Sequence, residues 1–153
     1  MSERFFPDVE RGKTGEMAAL WFFSQNPSVK SIISCQGDSY YQDMDIDFLV
    51  QIGNKVVSVE VKTDYKAHET GNIFYELSTN GHRGCFEKTR ADAILIYLPA
   101  VNKMYQFNTT ALRMWVDRNK ALMKTVSGGD ASVGYAIPIK DLTDQRIAKE
   151  VVL

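Results

Sequence analysis

The chain has 153 residues, 44% of them apolar and 24% charged, with a net charge of −1. That length and balance fit a single domain over residues 1–153 with a real core, and they exclude the disordered classes. The longest apolar runs fall far short of a membrane span, and the near-neutral charge means that any nucleic-acid site must concentrate its cations locally.

The opening residues, "MSERFFPDVERGK", carry charge early and hold no apolar signal core, so a cytoplasmic protein is expected. "KTGEMAALWFFSQN" has helical spacing, with Met17, Leu20, Trp21 and Phe23 as its apolar side, Thr14 as its cap and Asn26-Pro27 as its end. "VKSIISCQG" reads as a first strand, and "DMDIDFLVQIGNKVVSVEVKTD" as two strands around a turn. After a polar loop, "IFYELS" reads as a strand, and "NGHRGCFEKTRAD" holds a turn and a short helix. "AILIYLP" is an apolar run of strand length, of the kind buried on both faces. "KMYQF" is the next strand, and "TTALRMWVDRNKALMK" is a Thr-capped helix. "VSGGDAS" is a loop, "VGYAIPI" a strand, and a polar tail with a short apolar end follows. This order predicts an α/β (α+β) fold with a central mixed β-sheet flanked by helices. Cys35 and Cys85 have no close spacing and are expected as buried or free thiols.

The acidic hairpin holds the chemistry. Gly53-Asn54 suits a two-residue turn, because Gly accepts positive φ at the first central position. Centred there, residues whose numbers add to 107 face each other. Val50 then meets Val57, Phe48 meets Val59 and Ile46 meets Val61, all on one apolar face. The other face sets Leu49 against Ser58, Asp47 against Glu60 and Asp45 against Lys62. Opposed Cβ atoms lie about 5 Å apart. Two like charges there repel by roughly 3 kcal/mol at an effective dielectric of about 20. A divalent cation between them reverses the sign, and hard oxygen ligands suit Mg2+. Lys62 shares the face of Glu60, where it can orient a water, lower its pKa or steady a phosphate oxygen.

"DFLVQIGNKVVSVEVK" resembles the core of the PD-(D/E)xK nuclease superfamily, with its restriction-endonuclease-like fold. The matching positions are Asp47, then the hairpin, then Glu60 and Lys62. The motif's Pro is absent, since Ile46 precedes Asp47. Many members add a Glu on the first helix after a Gly, and "GKTGEMAALWFF" places Glu16 there, with Glu10 a weaker alternative. The resemblance covers roughly residues 10 to 100. It implies a four-stranded mixed sheet flanked by helices and hydrolysis of phosphodiester bonds, usually in DNA, with Mg2+ or Mn2+. It further implies that Asp47 and Glu60 bind the metal, with the Val61 carbonyl and Glu16 as further contributors, and that Lys62 positions or activates the attacking water. Asp45 shares the face and remains an alternative to Asp47, which is preferred because it opposes Glu60 directly.

Basic residues cluster twice. Arg83, Lys88 and Arg90, with His82 beside them, precede a core strand and are expected as phosphate contacts. Arg113, Lys120 and Lys124 read more simply as a solvated helix face. Tyr40, Tyr41 and Tyr65 flank the acidic end of the hairpin, where exposed rings can stack on unpaired bases. "SGGD" is no phosphate loop, because no GK[ST] follows. The expectation is therefore a Mg2+-dependent DNA endonuclease, either structure-specific for branched DNA such as a Holliday junction or of the compact restriction or phage type, and a homodimer. The alternative is a non-enzymatic nucleic-acid-binding or interaction module on the same fold.

Overall fold

The computed structural model describes the backbone of residues 7–129 and 131–153, and side chains from residue 14 onward except 130. The elements run α1 (Pro7–Ser24), β1 (Val29–Ser34), α2 (Ser39–Asp43), β2 (Phe48–Ile52), β3 (Lys55–Thr63), α3 (Ala67–Thr70), β4 (Asn72–Thr79) and β5 (His82–Arg83). They continue as α4 (Cys85–Lys88), β6 (Ala93–Leu98), β7 (Lys103–Asn108), α5 (Thr109–Asn119), β8 (Thr125–Ser127), β9 (Ser132–Pro138), α6 (Ile139–Asp144) and β10 (Ala148–Val152). No described helix is long and apolar enough to cross a membrane.

A six-stranded mixed sheet has the order β1-β2-β3-β6-β7-β10. Every pair is antiparallel except β3 with β6, which is parallel. The expected central mixed sheet is present, with six strands where the resemblance implied four. A second, antiparallel sheet of order β5-β4-β9-β8 packs on one side of it.

The apolar run of β6 explains the layering. Ile94, Ile96 and Leu98 point to one face and join Ile73, Tyr75 and Ile137 of the second sheet, with Leu112 and Trp115 of α5 and Leu142 of α6. Leu95 and Tyr97 point to the other face and join Val59, Val61, Phe48 and Val50 under Ala19 and Phe23 of α1. Each such side chain, fully buried, contributes about 1.5–3 kcal/mol. A strand apolar on both faces has to sit between two layers.

The hairpin register is the one expected: Phe48 faces Val59, Val50 faces Val57, and Ile52 faces Lys55. Gly53 takes the left-handed conformation, φ 59°. The ladder stops sooner than expected, however. β2 begins at Phe48, so Asp47 does not pair with Glu60, Ile46 with Val61, nor Asp45 with Lys62, as ladder partners; Asp47 comes beside Glu60 through its side chain instead.

Helix α1 departs from its expected form in two ways. It starts at Pro7, so Thr14 lies inside it and caps nothing. Its buried side is Gly15, Ala19 and Phe23, while Met17 (68%), Leu20 (40%) and Trp21 (53%) are exposed. The small residues decide this, because they let the helix axis approach the sheet. A methyl group at Gly15 would overlap Thr63 Oγ1 and press on Val61 Cγ1 at 3.3 Å. At α5 the cap is Asn108, whose side chain accepts the Ala111 N–H at 2.9 Å, and not a threonine; Thr109 is buried in the first turn.

Gly15→Ala is therefore expected to cost about 1–3 kcal/mol by overpacking, read as a lower Tm, and Thr63→Ala in the same chain to restore most of it. An unchanged Tm for Gly15→Ala alone would remove the close-approach argument.

Candidate active site

The site forms where β2 parts from β3. Residues 41–46 turn tightly, with the Met44 and Ile46 N–H groups donating to Tyr41 O and Asp45 held at φ 51°. Asp47 leaves this turn gripped on both sides. Its N–H donates to Val59 O and its carbonyl accepts the Cys35 N–H, each at 2.8 Å. Its side-chain Oδ2 accepts the Val61 N–H at 2.8 Å. The carboxylate therefore stands in for a main-chain carbonyl, and the ladder gives way to a cleft.

Glu60 lies beside Asp47 and is 5% exposed, facing Ile94 across the parallel pair. Lys62, two residues on and on the same face, brings Nζ to 2.9 Å from Glu60 Oε1 and stays 39% exposed. Burial pushes the Glu60 carboxyl up to about 8; the Lys62 ammonium pulls it down, and the neighbouring Asp47 carboxylate pushes it up again. Burial works against the Lys62 charge too, but the Glu60 carboxylate outweighs it and holds the ammonium above its ordinary range.

Glu16 comes to the same place from α1. The close approach at Gly15 carries it to the cleft, and the Gln36 side-chain amide donates to its carboxylate. Glu16, Asp47, Glu60, Val61, Lys62, Thr63 and Tyr65 line a cleft of about 440 Å³. Asp45 is absent from that lining. It meets Lys88 Nζ at 3.7 Å instead, so Asp47 is the aspartate beside Glu60. The Glu10 side chain lies outside the described residues.

The basic residues are less free than their charges suggest. Arg83 donates to Glu87 O at 2.6 Å, Lys88 pairs with Asp45, and Arg90 is exposed, its N–H donating to Met44 O at 2.9 Å. The 82–90 segment packs on the 44–45 turn, with the Thr89 hydroxyl donating to Asp45 O at 2.7 Å. None of these cations lines the cleft itself. Arg113 does not belong to a solvated helix face. It is half-buried and donates to Phe86 O at 2.8 Å and to Thr89 O, closing the end of α4. Lys120 meets Asp117 at 3.4 Å. Both cysteines are free thiols, as expected, and burial pushes the Cys85 thiol up to about 11. Tyr40 is exposed with its ring edge-on to Tyr41, while Tyr65 lines the cleft at 39% exposure. Gln36 carried no signal in the sequence; only the fold brings it to Glu16.

A hard divalent cation fits this donor set. Every side-chain donor is oxygen, and Mg2+ is commonly held by one or two carboxylates while keeping several waters. Asp47 and Glu60 supply that number, with Val61 and Glu16 lining the same cleft. Among the described residues no group of three or more His, Cys, Asp or Glu converges, so this is no closed cage.

The fold is of the mixed α/β class. One solved structure that shares it is a bacterial homing endonuclease, I-Ssp6803I, with TM-score 0.50 and 16% sequence identity over 67% of this chain. This chain spans 66% of that one, just under two thirds of its length. No family model matches the chain, and no curated protein does. At that identity the likeness concerns the fold.

Glu60 sets a pH dependence. Its folded pKa, about 8, lies above the ordinary 4.5, so its contribution to stability is complete below about 4.5 and is lost as pH rises through about 8. In EDTA, the Tm of Glu60→Gln relative to wild type is expected to climb between about pH 5 and about pH 9, by a few degrees, equivalent to roughly 1–2 kcal/mol. A difference that stays flat across that range would contradict the burial argument.

Proposed function

We propose that the chain is a divalent-metal-dependent endonuclease of the PD-(D/E)xK type that hydrolyses phosphodiester bonds in DNA. The observation that carries this reading is the meeting of Asp47 and Glu60 where the hairpin splits, with Lys62 Nζ 2.9 Å from Glu60. The fold likeness to a homing endonuclease supports DNA as the substrate.

In this reading Asp47, Glu60 and the Val61 carbonyl hold Mg2+ or Mn2+, and Glu16 adds to the site from α1. The ion, when bound, offsets the charge that develops on the phosphate and the leaving oxygen. The chain's own groups do the rest. The Lys62 ammonium, fixed over Glu60, donates a hydrogen bond to the attacking water or to a non-bridging phosphate oxygen. The main-chain grip on Asp47 keeps its carboxylate in place, so little reorganisation is needed. Ile94, Ile96, Val59 and Val61 exclude water from behind the site. Arg83, Lys88 and Arg90 give phosphate contacts beside it. A homodimer would bring two such clefts to two strands, and branched DNA such as a Holliday junction belongs among the substrates to be tried.

One observation favours a second reading, a nucleic-acid-binding module without catalysis: Glu16 lines the cleft but does not close on the pair, since among the described residues no three His, Cys, Asp or Glu stand close enough to hold a metal ion. A cleavage panel separates the two. Linear, branched and single-stranded DNA with Mg2+ or Mn2+ is expected to be nicked, and EDTA to stop it. Asp47→Ala and Glu60→Ala are each expected to slow cleavage at least roughly a hundredfold, about 2.7 kcal/mol of barrier, with DNA binding kept. Binding without cleavage on every substrate would leave the second reading in possession.

A further inference from the structure

The geometry points to a nucleobase-reading niche next to the cleft, centred on Asn72, which takes a base of the substrate strand flanking the scissile phosphate; this rests on the nuclease reading above. One chain segment divides the two depressions. Thr63 and Tyr65 line the cleft, while Asp64, Lys66 and Ala67 line a second hollow of about 410 Å³. That volume falls within the range of small-ligand sites, about 300–1,000 Å³. The segment is held in shape by Asp64 Oδ1, which accepts the Lys66 and Ala67 N–H groups, each at 2.8 Å.

Two features make the hollow a reader rather than a gap. The first is Asn72. Its main chain is used, the N–H donating to Thr70 Oγ1 at 3.1 Å and the carbonyl accepting the Thr70 hydroxyl at 3.3 Å. Its half-buried side-chain amide makes no hydrogen bond among the described residues, yet it lines the hollow. A free carboxamide presents a donor and an acceptor together, which is what a base edge asks for. The second is the tip of the β8–β9 hairpin. Gly128 lies so near the ring of Phe74 that a methyl group there would sit 2.5 Å from it, so main chain and ring form one wall. Exposed Lys66 stands on the rim, placed for a phosphate.

Reach sets the distance along the substrate. Lys66 is four positions on from Lys62, so their Cα atoms are at most about 14 Å apart. Successive nucleotides of a duplex strand rise about 3.4 Å each. The rim of the niche at Lys66 therefore stands within about four steps of the cut, and the bases to test are those beside it.

The test uses the full chain and DNA randomised at the four positions on each side of the cut, read both by cleavage with Mg2+ and by selection of bound sequences with Ca2+. Wild type is expected to favour one base at one of these positions by about tenfold. Asn72→Ala is expected to flatten that preference to within about twofold, with Tm little changed. Asn72→Asp, which replaces the donor with an acceptor, is expected to change which base is favoured. A preference that Asn72→Ala leaves intact, or a wild type with none at these positions, overturns the niche while cleavage itself upholds the nuclease reading. Biased binding that Asn72→Ala erases, without any cleavage, keeps Asn72 as the base reader of a binding module and overturns the nuclease reading, and with it the placing of that base beside a scissile phosphate. Neither cleavage nor binding overturns both.

Discussion

The hydrogen bond from the Val61 N–H to the Asp47 carboxylate is the constraint on which the site depends. In an unbroken ladder that N–H would go to a main-chain carbonyl, and the acidic side chain would stand out in solvent. Here the carboxylate takes it, so β2 parts from β3 without leaving a donor unsatisfied. The same exchange lays Asp47 against Glu60. With its N–H and carbonyl also engaged at Val59 and Cys35, the aspartate has little freedom to swing away.

This arrangement is costly for the chain and suited to chemistry. A buried glutamate beside an aspartate is destabilised when ionised, and the ammonium of Lys62 offsets only part of that. Charged clusters of this kind persist where they have work to do. The surroundings keep the cluster in place. Valines of β3 pack under α1 on one side, isoleucines of β6 pack toward the second sheet on the other, and Gly15 lets the helix come close enough to bring Glu16 along.

Much of this was legible in the hairpin. A tight turn with a glycine and strict alternation of valine with polar residues fix one register, and that register sets Asp47 near Glu60. What the alternation did not reveal was the end of the ladder, because it depends on the left-handed turn at Asp45 and on β1 reaching Asp47 from outside the hairpin. Helix α1 was misread for a different reason. Helical spacing gives an apolar stripe, but it does not say whether the large or the small side meets the sheet, and here Gly15 and Ala19 do. Arg113 looked solvated because a charge on a helix usually is; two carbonyls at the end of α4 claim it instead. β4 and β9 were both legible as strands, but their pairing into a second sheet was not, because it joins residues far apart in the sequence.

The parallel pairing of β3 with β6 also governs the order in which the site is assembled. Asp47 and Glu60 meet through a two-residue turn, a contact with little loop entropy to overcome. Lys88 and Thr89 reach the 44–45 turn only once the intervening segment has crossed over and β6 has docked. In a chain emerging from the ribosome, the acidic pair is thus within reach of its partner before the wall beside it exists. The two carboxyls meet while still bathed in solvent, and their desolvation is deferred to the later docking step.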